Sequence, residues 1–212
     1  MRDFPIFSTE NGVGSLFLRE IPYGGNAYIQ IQSSSAPVAF LKECMDFCVL
    51  AGAGNIYAAG AEALEEYPFH TEIWKMQGDA RKLPRSNVAL FPVTEKTAEQ
   101  WRTIYNDKMK GVPNSGYISF MDMKQICKDG SGYFVHENGM LLGIGKASFG
   151  KIDVVISLQP GAGERVVCAL AHGVCGDYVE LEVASTNHKA VSLYERLGFI
   201  KCKCLSRWYR IK

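Results

Sequence analysis

The stretch Leu181-Glu-Val-Ala-Ser-Thr-Asn187-His-Lys-Ala190-Val-Ser-Leu-Tyr194-Glu-Arg-Leu-Gly198-Phe199 decides how this chain is read. Residues 178–183 alternate polar and apolar as a strand does, and 187–197 carry apolar residues at helical spacing. Asn187 and Tyr194 are seven residues apart, so two helical turns stack them on one face. Ala190 between them is small and leaves a groove along which a ligand can lie. Gly198 suits the left-handed residue that ends a helix, and Phe199 suits the apolar contact that accompanies it. The spacing equally suits a plainer reading, in which Asn187 is a cap and Tyr194 a core aromatic.

Upstream, Ser157-Leu-Gln-Pro-Gly-Ala-Gly-Glu-Arg-Val-Val-Cys-Ala-Leu170 reads as a strand end, a glycine turn and a helix start. Glycines let backbone approach a ligand closely. The first helical turn leaves amide N–H groups without acceptors, and the dipole adds positive charge there, which together make an anion site. A turn of this kind also serves tight packing alone. The third glycine and downstream acid of a dinucleotide fingerprint are missing, as is the Gly-Lys-Ser/Thr of a Walker loop.

Taken together, the run of strand, Asn187, Ala190, Tyr194 and Gly198-Phe199 with the Gly161-Ala-Gly163 turn ahead of it resembles the GNAT N-acetyltransferase superfamily over roughly residues 87–211. The resemblance implies a mixed α/β (α+β), mostly antiparallel sheet flanked by helices, in which two parallel strands, 152–157 and 178–183, splay to form an acyl-CoA slot. It implies acetyl-CoA as co-substrate, held by Ile156, Ser157 and Leu158 at the strand end, by Gly161, Ala162, Gly163, Glu164 and Arg165 in the turn, and by Asn187, Ala190 and Tyr194 on the last helix. Tyr194 stands at the family's acid position. Leu181-Glu182-Val183 is similar to the ribosomal-protein N-terminal acetyltransferases, whose matching glutamate is the base, which points to Glu182. The acceptor region falls on 101–123, where Tyr105, Asn106 and Asp107 are candidates to hold a cationic amine. The turn departs from the family pattern, with Leu158 where a basic or amide residue is usual and Gln159 where glycine is usual. Glu164 sets a carboxylate beside the expected phosphates, which Arg165 or another side chain must offset. Glu180 lies two residues from Glu182 on the same strand face, so repulsion is expected to raise the pKa of one of them.

Working outward, 16–20 and 27–32 form a hairpin around the turn cluster Pro22–Asn26. Ser33-Ser-Ser-Ala-Pro37 opens a helix whose stripe is Val38, Leu41, Met45, Cys48 and Val49. Strands follow at 55–58 and 69–76 around a polar helical piece at 61–66, and 77–86 read as a linker. Next come a strand at 88–91, helices from Thr94 and over 120–128, and a hairpin turning at Asn138-Gly139. The final segments, 199–204 and 206–211, read as a closing pair of strands. The division expected is residues 1–82, an N-terminal half that repeats the strand-helix-strand order of 152–211 as a degenerate copy, and residues 83–212, the acetyltransferase domain.

Composition sets the outer bounds. Of 212 residues, 47% are hydrophobic and 21% charged, the balance of a packed globular chain, and the net charge is +1. That near-neutrality argues against nucleic acid or an anionic membrane as partner and for a small-molecule or peptide amine; a homodimer is the assembly expected. The first residues lack an apolar leader, and the seven cysteines follow no disulfide or metal spacing, so the expected place is the reducing cytoplasm and no metal is expected. The histidines read as structural, with His136 nearest the expected acceptor side.

Overall fold

The computed structural model describes residues 3–85 and 87–212, so Ser86 of the expected linker and the first two residues lie outside the described residues. In chain order the elements are β1 (Phe4–Thr9), β2 (Gly12–Phe17), α1 (Ile21–Gly24), β3 (Asn26–Ser34), α2 (Pro37–Leu50), β4 (Asn55–Ala59), β5 (Phe69–Asp79), β6 (Ala89–Pro92), α3 (Ala98–Met109), α4 (Phe120–Asp129), β7 (Gly132–Glu137), β8 (Met140–Ser148), β9 (Lys151–Ser157), α5 (Gly163–Leu170), β10 (Tyr178–Ala184), α6 (His188–Arg196) and β11 (Ile200–Arg210). The chain divides into two compact units, Met1–Ile73 with Leu205–Lys212, and Trp74–Cys204. Residues 74–82 therefore belong to the second unit, and the last eight residues to the first.

In the first unit β1, β2 and β3 run antiparallel, β3 and β4 pair in parallel from Asn26↔Asn55 to Gln30↔Ala59, and the end of β11 closes on β4 at Tyr209↔Ala58. The core is Leu16, Ile29, Phe40, Leu41, Cys44, Cys48 and Ile56. Three expectations are corrected here. The hairpin turn at Pro22 is a short helix, α1. The buried stripe of α2 is Phe40, Leu41, Cys44 and Cys48, while Val38 and Val49 are exposed. No serine side chain caps α2; Pro37 opens it after Ala36, whose N–H bonds the Ser34 hydroxyl.

In the second unit β10, β9, β8, β7 and β6 lie side by side, antiparallel except for β9 and β10. One face packs against α5 and α6 through Leu142, Ile152, Val166, Val167, Leu170, Leu181 and Phe199. The other carries Phe134, Ile144 and Ile156 against α3 and α4, with Trp101, Tyr105, Met123 and Ile126. Trp101 is fully buried and its indole N–H donates to the Tyr133 carbonyl at 3.1 Å. α4 starts on a capping box of Ser119 and Asp122 and ends on left-handed Gly130. The β7–β8 turn has Asn138 at φ 50° and Gly139 at φ 78°, as Asn-Gly requires. Residues 200–210 form a single strand rather than two.

None of the seven cysteines is held in a disulfide. Four are buried, and burial pushes their thiols up, Cys44 to about 12 and Cys48, Cys168 and Cys175 to about 11, so they behave as small apolar groups. Cys202 and Cys204 are exposed.

Candidate active site

β9 and β10 are paired only at Glu180↔Lys151 and Leu181↔Ile152. Beyond that point β9 follows β8 as far as Gly143↔Ser157, while β10 runs on to Ala184, so the facing edges separate. The cause is local. Between Lys146↔Val154 and Ala147↔Ile152 the register slips, leaving Asp153 as the extra residue of a bulge, and a bulge bends its strand. The bend falls where the β10 pairing stops. Backbone groups along the opened edge have no ladder partner, which is a demand that a ligand or water must meet.

At the open end the chain turns tightly. Leu158 N–H donates to the Leu142 carbonyl at 2.8 Å, the Ser157 hydroxyl donates to the Gln159 carbonyl at 2.8 Å, and Ala162 N–H to the same carbonyl at 3.1 Å. Ile156 is buried in the core beneath. Gly161 has φ 74°, with nothing within 4 Å of where a Cβ would stand. Ala162, Val166 and Val167 are fully buried and anchor α5, which continues past Leu170 as a π-helical turn, Ala171–Cys175. A Cβ on Gly163 would meet the Leu193 side chain of α6 at 3.0 Å, so the glycine permits the close approach of the two helices.

On α6 the Asn187 side chain accepts from the Ala190 N–H at 3.3 Å and caps the helix. Gly198 is left-handed at φ 85°, and Phe199 N–H donates to the Tyr194 carbonyl at 2.9 Å. The Tyr194 ring lies in the core, 5.8 Å from that of Phe199. Burial pushes its phenol up to about 12, so it carries its proton at neutral pH.

Around the turn the offset to Glu164 comes from another side chain rather than from Arg165. Arg165 is engaged by an ion pair with Glu137, and Glu164 is offset by Arg196 of α6, at 3.8 Å. Glu182 points from the exposed side of β10, where its carboxylate meets Lys151 Nζ at 3.0 Å. The Glu180 carboxyl is held below the ordinary range by hydrogen bonds from Lys75, at 2.6 Å, and Gln77, so Glu180 is not the glutamate that shows the expected rise. Asp153 joins Lys151 at 3.3 Å and also pairs with Lys146. Sequence reasoning missed Lys151, Asp153 and Arg196, because their meaning lies in partners from other elements; the only available signal was the charged Lys151-Ile-Asp153 opening an otherwise apolar strand.

Of the acceptor candidates, Tyr105 is buried, stacks on Trp101 at 5.7 Å and donates its hydroxyl to the Ser115 carbonyl at 2.6 Å. Asn106 bonds both the N–H and the carbonyl of Ile118, at 2.9 and 3.0 Å. Both side chains tie down the connection between α3 and α4, and Asp107 is exposed beside them. His136 rests edge-on against Phe91, and His172 lies 3.3 Å from the Pro84 carbonyl. Among the described residues no group of three or more His, Cys, Asp or Glu is placed to hold a metal ion, and no helix is long and apolar enough to cross a membrane.

No family model and no curated protein matches the chain in sequence. Solved structures match it in fold. A functionally unknown conserved protein from Staphylococcus epidermidis is 11% identical, with a TM-score of 0.60 over 99% of this chain and 94% of that one. A GCN5-related N-acetyltransferase from Kribbella flavida is 14% identical, with a TM-score of 0.54 over 96% of this chain and 58% of that one. An acetyltransferase of the GNAT family from Colwellia psychrerythraea is 12% identical, with a TM-score of 0.50 over 97% and 83%. The chain has the fold of the GNAT N-acetyltransferase superfamily.

Proposed function

We propose that the chain transfers an acetyl group from acetyl-CoA to a primary amine of a small molecule or peptide. The observation that carries this reading is the gap between β9 and β10 beyond Ile152 and Leu181, with the Gly161–Gly163 turn and α6 at its open end. A CoA thioester fits the residues present. The first-turn N–H groups of α5 lack helical acceptors and favour a diphosphate, and the open space at Gly161 lets it approach. The unpaired edge of β9 offers N–H groups to polarise the thioester carbonyl.

In this reading Glu182 takes the proton of the incoming ammonium, and Tyr194 donates a hydrogen bond to the departing sulfur. An ordinary thiol titrates near about 8.5, so a phenol at about 12 does not hand over its proton outright. Tyr194 stabilises the thiolate by hydrogen bonding, and the amine's proton completes the thiol. Asp107 offers an exposed carboxylate to a cationic acceptor, while Tyr105 and Asn106 position it by fixing the α3–α4 connection. The cytoplasm is the expected setting and a homodimer the expected assembly, with neither nucleic acid nor membrane as partner. The first unit, rather than the whole of residues 1–82, acts as a degenerate half-repeat of the second.

A second reading, a catalytically silent module that binds or senses acyl-CoA, is favoured by Glu164 in the turn and by the engagement of Arg165 with Glu137. Calorimetry with acetyl-CoA and thiol release over a panel of amines separate the two. Binding with turnover supports the enzyme, binding without turnover supports the module, and no binding to any CoA species rejects both.

A further inference from the structure

We propose that Lys151 is itself an acyl acceptor, so that the protein acetylates its own Lys151 Nζ on binding an acyl-CoA. The inference rests on Glu182 serving as base in the slot, and it starts from a mismatch between register and reach. In the parallel ladder Lys151 stands opposite Glu180, yet its ammonium meets Glu182, two residues further along β10. Two residues of strand rise about 6.6 Å, close to the full length of a lysine side chain. The side chain therefore runs along the strands toward the end where they part.

There the ammonium lies between carboxylates of both separating strands, Glu182 at 3.0 Å on β10 and Asp153 at 3.3 Å on the bulge of β9. That is the station an acceptor amine must occupy, within reach of the base and at the mouth of the thioester gap. The neighbouring lysines differ. Among the described residues Lys146 pairs with Asp153 and Lys75 with Glu180, and neither pairs with Glu182. Lys151 is also partly open to solvent, with 43% of its side chain exposed.

The step balances. Glu182 takes a proton from Nζ, the freed lone pair attacks the thioester carbon, and an N–C amide bond forms as the C–S bond breaks. Glu182 passes that first proton to solvent, then takes the second Nζ proton from the nitrogen of the new N–C bond and hands it to the departing thiolate, which leaves as the thiol. The lysine ends as a neutral amide, and Asp153 and Glu182 lose their shared cation. Burial lowers the pKa of Lys151, but hydrogen bonding and charge from Glu182 and then Asp153 outweigh it and raise the value; Glu180, held by Lys75 and Gln77, and Lys146 complete the charged surroundings. The resting group is an ammonium, so the reaction is expected to speed up as pH rises.

The test incubates the pure full-length protein with acetyl-CoA and follows intact mass and mapped peptides, with acetyl-CoA binding to the same sample measured by calorimetry. A single acetyl group on Lys151, added at least about tenfold faster than on exposed Lys128, supports the proposal. Lys151→Arg should abolish the modification without lowering the thermal midpoint, and Glu182→Gln should slow it about 100-fold while acetyl-CoA still binds. Lys151 acetylated no faster than Lys128, or equally fast in Glu182→Gln, would overturn the self-acylation and leave the transferase reading intact. Absence of acetyl-CoA binding would overturn both together.

Discussion

Tyr194 is buried and protonated at neutral pH, and in the proposed reaction its phenol is the donor to the departing sulfur. Tyr194→Phe removes that donor and little packing. Acetyl-CoA affinity is expected to hold while turnover falls about 100-fold, read as thiol release beside calorimetry. Gly161 supports the turn differently, through its left-handed backbone. Gly161→Ala meets no atom but must adopt φ 74°, which costs about 1 kcal/mol, so a lower thermal midpoint and weaker acetyl-CoA binding are expected together. The extent of α6, with Asn187 as its cap, Tyr194 on its buried side and Gly198-Phe199 at its end, was legible in the sequence because helical spacing and cap residues mark where a helix starts, packs and stops. The ion pairs were not. Gln77 reaches Glu180 across 103 residues of chain, and Arg196 meets Glu164 only because the packing of Gly163 against Leu193 brings their helices together.

Among the elements β9 is the one whose shape matters most, and Gly143 on β8 controls how closely its neighbour can lie. A Cβ there would stand 2.1 Å from the Ile156 carbonyl oxygen, so Gly143→Ala must force the two strands apart. A loss of about 1–3 kcal/mol is expected, measured by urea unfolding. The bulge residue Asp153 supplies a pH dependence with a definite sign. Burial alone would raise its carboxyl, but Lys146 and then Lys151 prevail and lower it from the ordinary 3.8. Its stabilising contribution is therefore fully present above that value and is lost as pH falls through the depressed one. Asp153→Asn should flatten the corresponding part of the acid limb in unfolding titrations, and an unchanged limb would count against the pairing. At this scale the sequence marked most strands and helices through spacing and turn residues. It misjudged α2, whose run Val38-Ala-Phe-Leu is apolar on adjacent faces and permits two stripes, and it missed β1, where Pro5 obscures an edge strand.

The molecule as a whole has two cores, and each should respond to its own truncation. Trp101→Ala in the second unit and Phe40→Ala in the first should each cost about 3–5 kcal/mol, and because two units need not unfold together, tryptophan fluorescence and far-UV circular dichroism are expected to give separate transitions in at least one variant. The mixed sheet with flanking helices was legible at this scale, since a strand-helix-strand rhythm leaves few arrangements. The limits of the compact units carry no compositional mark. The chain leaves the first unit inside β5 and returns inside β11, and the interior of a strand shows none of the glycine or polar enrichment of a linker. The parallel pairs in the two units also differ in one respect that bears on ligand counting. β3 and β4 keep five consecutive pairs from Asn26↔Asn55 to Gln30↔Ala59, so their facing amides are already satisfied by each other. A titration with acetyl-CoA should accordingly reach equivalence at one mole of thioester per mole of polypeptide, however alike the two halves are in their order of strands and helices.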